Sequence, residues 1–262
     1  MAIQVTTLMW LRTTMNYQYR YGTTTTQALK TLYSQGGVRR FYRGYAPALF
    51  QGPLSRFGDT AANAGTIALL DSFGGTRDLP TVAKSMAASG MAAAFRIMLM
   101  PIDACKTILQ VEGGQGLRIL KQKMKLGGPT VIFHGALATA GATYVGHFPW
   151  FFTNNQLNVL IPHPEPSDPK WHTFARNGFI GFAASAVSDT ASNSIRVVKT
   201  TKQTSITPIS YPQALKDIIA KDGVIGLFGR GLKTRLLTNG LQGMLFNVLW
   251  RDLSVRFGFT SR

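Results

Sequence analysis

The sequence has few acidic residues, few charged residues of any kind and a single cysteine. Only 11 of its 262 residues are Asp or Glu, against 28 Lys and Arg, which gives a formal net charge of +17. Charged residues make up 15% of the chain and apolar residues 45%. Soluble domains usually carry about 25% charged residues, so this composition favours a helical membrane bundle over one or two soluble domains.

The single cysteine, Cys105, excludes an intramolecular disulfide and a cysteine-rich metal site. The sequence also lacks a nucleophile elbow, a phosphate loop and a metal-ligand constellation, so we expect no enzymatic activity and no cofactor. The positive charge is not accompanied by a nucleic-acid-binding motif or an aromatic-basic stripe, which argues against nucleic acid as a partner. A basic membrane protein beside an anionic lipid leaflet explains the charge better.

The chain is organised around the hexapeptide Pro101-Ile102-Asp103-Ala104-Cys105-Lys106, which ends an apolar stretch that begins at Val82. Proline bends a helix, and we expect a helix kink at Pro101. Asp103 and Lys106 are three residues apart and therefore share a helix face. Charges at the end of a membrane helix rarely face lipid, so we expect both side chains to face a bundle interior or a watery cavity.

Two sets of glycines recur through the chain with a spacing of nearly one hundred residues. The first set is Gly37, Gly128 and Gly223, and the second is Gly44, Gly135 and Gly231. Aligning them brings Arg12, Lys106 and Lys199 to equivalent positions. A fixed period marks repeated structural units, so we predict a single domain of three repeats, covering residues 1–75, 76–166 and 167–262.

The hexapeptide and this period resemble the mitochondrial carrier family, in which a Pro-x-Asp/Glu-x-x-Lys/Arg signature occurs once in each of three repeats. The resemblance covers essentially the whole chain. It implies a multi-pass protein of the mitochondrial inner membrane with an all-α fold: a pseudo-threefold carrier barrel of six helices and three short surface helices on the matrix side. The aligned signature of repeat 1 occupies residues 7–12, whereas a carrier has roughly 20 further residues before it, about the length that spans a bilayer. Either helix 1 is a half helix, or the sequence begins at an internal methionine of a longer protein.

Apolar stretches, prolines and glycine stops predict the helices. The predicted barrel helices, of which the first is short, cover residues 1–15, 46–70, 81–110, 136–160, 171–200 and 232–257. The predicted surface helices cover residues 23–34, 117–126 and 211–221. Basic residues concentrate in the segments that hold these surface helices, which places them on the matrix side by the positive-inside tendency. Within the second barrel helix, Arg56 and Asp59 are three residues apart and could pair.

The resemblance further implies a matrix gate, at which the acid of each repeat pairs with the base of the next. The acid positions read Met9, Asp103 and Arg196, and the base positions read Arg12, Lys106 and Lys199. We therefore expect a single ion pair, between Asp103 and Lys199. Lys106 would face Met9, and Arg196 would face Arg12 as a like charge. Repeats 1 and 3 also have Thr7 and Ser194 where repeat 2 has Pro101, so two of the three gate elements are degenerate.

The even-numbered barrel helices are implied to carry a cytoplasmic-side gate and the solute contact points. The gate positions fall on Asn155, Asn158 and Arg251, which cannot form an ion pair with one another. The solute contact points fall on Gln51, Ala142, Thr143 and Thr238, none of which is charged.

Cardiolipin is the one bound lipid that the resemblance implies. In carriers its phosphates rest on helix N-termini and on an aromatic-basic-glycine turn. The residues here that match this turn fully or in part are Arg43, Gly44, Gly135, Arg230 and Gly231.

These features favour a carrier-fold protein that does not transport and serves as a structural or accessory subunit of a larger inner-membrane assembly, such as a respiratory complex. The alternative is a transmembrane transporter of a small uncharged or weakly polar solute that works by alternating access. The sequence identifies neither the solute nor a partner subunit.

Overall fold

The structure is a computed structural model that describes residues 2–165 and 168–256, and these ranges contain helices and no strand. The all-α class is therefore confirmed. The α-helices are α1 (Ala2–Tyr21), α2 (Thr25–Ser34), α3 (Gly37–Phe41), α4 (Tyr45–Ser72), α5 (Thr81–Met98), α6 (Met100–Glu112), α7 (Gly116–Gly127), α8 (Ala136–Leu160), α9 (Lys170–Thr204), α10 (Tyr211–Gly229) and α11 (Leu232–Arg256). Short 3-10 segments cover Gly113–Gln115 and Pro129–Phe133. Among the helices in the described ranges, none combines the length and the apolar character that crossing a membrane requires.

The predicted helix over 81–110 is divided in two just before Pro101. Leu99, between α5 and α6, has a ψ of −1°, and Pro101 lies in the first turn of α6. Proline is tolerated there because the first N–H groups of a helix have no intrahelical partner. In contrast, α1 runs unbroken through Thr7 and α9 through Ser194. Of the three aligned positions, only Pro101 therefore coincides with a helix break. Helix α1 continues to Tyr21 rather than ending near residue 15.

The long helices contact one another in a closed order. Helix α1 packs against α4, α4 against α5, α5 against α8, α8 against α9, α9 against α11, and α11 against α1. Helix α6 continues α5 and packs against α4 and α9. The short helices α2, α7 and α10 pack against α1, α6 and α9, respectively. This arrangement leaves a central cavity between the long helices.

Two clusters of buried apolar side chains lie around the C-terminal half of α1, and a third, with Val5 and Met9, lies around its N-terminal half. Tyr17 packs against Ala28 and Leu32 of α2 and Phe41 of α3. Two residues further along α1, Tyr19 packs with residues 197 and 218 of α9 and α10. These contacts fix the end of α1 between the first and the last of the short helices.

The glycines of both repeated sets adopt left-handed backbone conformations. Their φ values are 59°, 76° and 68° at positions 37, 128 and 223, and 82°, 98° and 66° at positions 44, 135 and 231. A Cβ added at Gly44 would lie 2.8 Å from the Lys106 carbonyl oxygen, and one at Gly135 would lie 3.0 Å from Lys199 Cγ. A Cβ added at Gly231 would lie 2.7 Å from Tyr19 Cε1. Glycine is therefore required at positions 44, 135 and 231 both by φ and by the close approach of α6, α9 or α1, whereas at positions 37, 128 and 223 the space is open and φ alone favours it.

Candidate functional site: a cation-lined cavity

Asp103 is the centre of a buried charged network. Its side chain is 8% exposed, and Lys199 Nζ lies 2.6 Å from Oδ2. Lys106 Nζ lies 2.8 Å from Oδ1. Gln51 Nε2 also donates to Oδ1 at 2.8 Å, while Gln51 Oε1 accepts from Lys106. One carboxylate therefore holds two lysines from α6 and α9 and a glutamine from α4.

The contact between Asp103 and Lys199 is the one expected from the sequence, but the expectation for Lys106 was wrong. Lys106 shares the Asp103 carboxylate instead of facing Met9, because residues three apart on α6 lie on one helix face. Met9 is fully buried, and its sulfur accepts a hydrogen bond from Gln110 Nε2 at 3.6 Å.

The two arginines at the degenerate gate positions have neutral hydrogen-bond partners. Arg12 Nη2 donates to Gln242 Oε1 at 2.8 Å, and Arg196 Nε donates to Ser192 Oγ at 3.3 Å. Within the described ranges, neither guanidinium forms an ion pair. Both side chains line the same cavity.

Two further ion pairs join neighbouring long helices. Arg96 of α5 donates to both carboxylate oxygens of Asp59 of α4, from Nη2 at 2.6 Å and from Nε at 3.1 Å. Arg235 of α11 donates to Asp189 of α9 at 2.7 Å. The expected pair of Arg56 with Asp59 was wrong, because a guanidinium from the facing helix satisfies both oxygens of Asp59 in a fork geometry.

Sequence reasoning overlooked three of these residues: Arg96, Asp189 and Arg235. Each is an ionisable residue within a long helix, and such residues usually face a bundle interior. That signal could have identified them as cavity candidates, although it could not have named their partners.

The central cavity has a volume of about 300 Å³. Its charged lining consists of Arg12, Arg96, Lys106, Arg196, Lys199, Arg235 and Asp103. Of the expected solute contact points, Gln51 and Thr238 line the cavity. Ala142 and Thr143 are buried outside its lining, where the Thr143 hydroxyl accepts from Arg96 at 3.2 Å. The contact points are uncharged, but the cavity as a whole is strongly cationic.

Three buried basic side chains cap the C-termini of helices from the next predicted repeat. Arg40 donates to the carbonyl oxygens of residues 110 and 111 of α6, at 2.8 and 2.6 Å. Lys123 donates to the carbonyl oxygens of residues 202 and 203 of α9, at 2.7 and 3.2 Å. Arg230 donates to the carbonyl oxygens of residues 19 and 20 of α1, at 3.3 and 3.4 Å. The last carbonyls of a helix have no intrahelical partner and lie at the negative end of its dipole. These cations therefore hold α6, α9 and α1 in cyclic order. The three positions are not equivalent in the glycine alignment, so the repeat pattern gives no sign of them.

Lys123 is the most deeply buried of the three caps, with 0% of the residue exposed. Burial, together with the charges of Lys202 and Arg20, lowers the pKa of Lys123 to about 8. Burial and the charges of Lys123 and Lys202 lower the pKa of nearby His134 to about 4. This end of the protein thus holds a group of cations that repel one another.

The residues expected to contact cardiolipin differ in accessibility. Arg43 is exposed beside Gly44. Arg230 is 6% exposed, and its Nε donates to Asp222 at 2.8 Å in addition to the cap on α1. The Arg230 guanidinium is therefore engaged within the protein. The backbone turns at Gly44, Gly135 and Gly231 have positive φ values.

At the other end of α8, the expected gate residues have separate environments. Asn155 is exposed, whereas Asn158 Oδ1 accepts from Arg176 Nη1 at 3.1 Å. Arg176, which sequence reasoning overlooked, is buried and also donates to the carbonyl oxygens of residues 158, 161 and 162. The Arg251 side chain lies outside the described residues. Asn158 and Arg176 thus join α8 to α9 by hydrogen bonds.

The last three α-helices carry the comparison with known proteins. Residues 170–254 match the family model described as mitochondrial carrier protein. The match supports the mitochondrial carrier family and a carrier fold, and it contains Arg196, Lys199 and Arg235. A search of curated proteins finds none that matches the chain. In the described part of the chain, no cluster of three or more His, Cys, Asp or Glu side chains could hold a metal ion.

Proposed function

We propose that this chain is a multi-pass, carrier-fold protein of the mitochondrial inner membrane that does not exchange solutes. In this proposal it is a structural subunit of a larger membrane assembly, and its long helices form a pseudo-threefold barrel. The family match, the closed order of helix contacts and the positive φ shared by the six repeated glycines support the carrier barrel. Cardiolipin, proposed as its bound lipid, would contact the exposed Arg43 turn.

The observation that carries the proposal is the shortage of carboxylates at the matrix gate. Alternating access requires gates on both sides that form and break with comparable free energy. Asp103 is the one acid among the three equivalent positions, and it already binds two lysines. Arg12 and Arg196 have neutral partners instead. A gate of this composition lacks the three exchangeable ion pairs that closing the barrel requires.

Contacts between neighbouring helices favour a fixed arrangement. The pairs Arg96–Asp59 and Arg235–Asp189 tie α4 to α5 and α9 to α11. Arg235–Asp189 is the more deeply buried of the two pairs, and removing one partner of a buried pair costs about 3–5 kcal/mol. Arg96–Asp59 is partly exposed and contributes less, so the first pair resists helix separation more strongly than the second. The caps on α1, α6 and α9 bind backbone carbonyl oxygens. These contacts therefore do not depend on the identity or the rotamers of the side chains of the capped helices.

The second candidate function is transport of a small anion. The cationic lining of the cavity favours it, and an uncharged solute is no longer the best choice, because six cationic side chains would face it. In this alternative Gln51 and Thr238 would orient the solute among those cations.

The two functions are separated by one pair of measurements on the full chain. A tagged copy extracted mildly from mitochondria should migrate in native gels as part of a larger complex. The purified chain in liposomes should show no saturable exchange with a panel of labelled carboxylates, phosphate and neutral solutes. Migration at the mass of the chain alone, together with saturable exchange of one solute, would contradict the subunit proposal and support transport.

A further inference from the structure

Arg56 of α4 is a charged residue that nothing in the described part of the chain neutralises. It is exposed, lies outside the lining of the central cavity, and has no ion pair or hydrogen bond with any described residue. Arg12 lies close enough for the two positive charges to repel each other. Asp59, the acid three residues further along α4, is bound by Arg96 instead. Arg56 therefore lacks a counter-charge within the described structure.

The register of α1 against α4 defines the surroundings of Arg56. Met9 packs with Ala48. A Cβ added at Gly52 would lie 3.6 Å from Val5. Four residues back along α1 thus correspond to four residues forward along α4. Arg56 is one turn beyond Gly52 on the same side of α4 and is therefore level with the first turn of α1.

The side of α4 that continues from Arg56 is exposed and has small side chains. We call it the Arg56 face; its other members are Thr60, Ala61, Ala64 and Gly65, all of which are exposed. A Cβ added at Gly65 would meet no atom within 4 Å, so the space beside it is open. Small residues let the backbones of two membrane helices approach closely. The Arg56 face can therefore accept a neighbouring helix.

The position of Arg56 along α4 argues against a lipid headgroup as its counter-charge. Arg56 lies 11 residues after Tyr45 and 16 before Ser72, the first and last residues of α4. At 1.5 Å per residue it is about 16 Å and 24 Å along the axis from the two ends. In the membrane proposed for this chain, that depth is near the middle of a hydrocarbon core of ~30 Å. Charged side chains at such a depth pair with other protein groups.

We propose that the Arg56 face docks a membrane-spanning helix of a partner subunit that carries an aspartate or glutamate opposite Arg56. The carboxylate accepts from the planar fork of the guanidinium, and each charge removes the cost of placing the other in the membrane. The inference rests on the proposed function, because it states the kind of partner that a subunit of a larger membrane assembly binds.

A second copy of this chain does not match the charges. In a symmetric dimer across the Arg56 face, the two Arg56 side chains would face each other and repel. The carboxylates of the long helices near this depth, Asp59, Asp103 and Asp189, are each bound to cations of their own chain. The partner is therefore a different polypeptide.

The test is site-specific photocrosslinking of the full chain in intact mitochondria, with p-benzoyl-phenylalanine placed at Thr60, one helical turn from Arg56. We expect a crosslink to one membrane-spanning segment of another polypeptide, identified by mass spectrometry, with an Asp or Glu within its apolar stretch. The same probe at Phe148, which is exposed in the middle of α8, should not capture that segment. A crosslink at Thr60 only to lipid, to a second copy, or to another segment of the same polypeptide would overturn the docking site.

Charge variants test whether Arg56 holds the partner. Arg56→Glu should reduce the crosslink by about tenfold or more, whereas Arg56→Lys, which keeps the charge, should retain most of it. Arg118→Glu, the same charge change on the exposed face of α7, should have no effect. If Arg56→Glu does not accumulate, Arg56→Gln should also reduce the crosslink. Equal crosslinking with Arg56 intact and removed would overturn its role.

A charge exchange makes the test specific to the ion pair. Changing the acid of the identified segment to Lys should restore the crosslink to Arg56→Glu and weaken it in the original chain. Failure of the exchange to restore any crosslink would overturn the proposed pairing.

Native gels report separately on the proposed function. Migration in a larger complex, with only lipid crosslinked at Thr60, would overturn the docking site and leave the subunit proposal intact. Migration at the mass of the chain alone, with solute exchange in liposomes, would contradict the subunit proposal and, with it, the docking site.

Discussion

Replacing Asp103 with Asn should be among the most destabilising single changes in this protein. The substitution keeps the size of the side chain and removes the one negative charge that holds Lys106 and Lys199, at 2.8 and 2.6 Å. Removing one partner of a buried pair typically costs about 3–5 kcal/mol, because the remaining charge is left without compensation. The lower end of that range lowers an unfolding midpoint by roughly 6–12 °C in a chain of this size.

The assay is thermal unfolding of the purified variant in detergent, with Asp217→Asn as the control. Asp217 is exposed on α10, and its change should shift the midpoint very little. The double variant Asp103→Asn, Lys199→Gln should lose less stability than the sum of the two single variants. In each single variant one charge of the pair remains without its partner, whereas in the double variant both charges of the pair are absent. Charge reversal at both positions should not restore stability, because a lysine at position 103 would then face Lys106. If Asp103→Asn unfolds within about 1 °C of the original chain, the network has no energetic role and the reasoning is refuted.

Three further predictions test the packing outside the Asp103 network. The Lys123 pKa of about 8 in the folded protein lies below the ordinary lysine value of 10.5. Between these two pH values the unfolded state binds more protons than the folded state, so the free energy of unfolding should rise with pH across that window. Lys123→Met should reduce this rise in pH-dependent unfolding, and the exposed Lys125→Met should leave it unchanged. Burial also lowers the pKa of Lys202, so part of the rise should remain without Lys123; a rise as large as that of the original chain would contradict the assignment. Gly44→Ala should lower the unfolding midpoint, because φ is 82° and the new Cβ would meet a carbonyl oxygen at 2.8 Å, at a cost of about 1–2 kcal/mol for the backbone alone. Gly65→Ala, inside the helix α4 that begins just after Gly44 and with open space around it, should be neutral or stabilising, and equal effects of the two changes would refute the role of the turn. Arg176→Lys should accelerate limited proteolysis just after α8, because lysine lacks the fork that binds carbonyl oxygens of residues 158, 161 and 162; unchanged cleavage would show that the fork is dispensable.

Features that depend on local backbone chemistry could be predicted from the sequence. Pro101 predicted the break between α5 and α6, since proline removes an N–H and clashes with the preceding turn. The recurring glycines predicted turns, and positive φ at all six positions follows from the absence of Cβ. The bounds of α8 were also predicted correctly, because a glycine precedes its first residue and a proline-rich segment follows its last.

Partners on different helices were harder to predict, because they depend on how each helix is rotated about its axis. Asp59 was expected to pair within its own helix, yet Arg96 of α5 binds it. The cap that Lys123 places on α9 joins residues about eighty positions apart at non-equivalent points of the repeats. A single sequence contains the residue types for these contacts but not the relative rotation of the helices.

The most direct test of the non-transport proposal asks whether the cavity ever opens to both sides of the membrane. Ser55, a half-buried residue that lines the cavity, is replaced by Cys in a Cys105→Ser background, and a membrane-impermeant thiol reagent is applied to mitoplasts and to inverted inner-membrane vesicles. A protein without alternating access should be labelled from one side only, whether or not phosphate or citrate is present. Labelling from both sides, in a ratio that shifts with the added anion, would contradict the proposal.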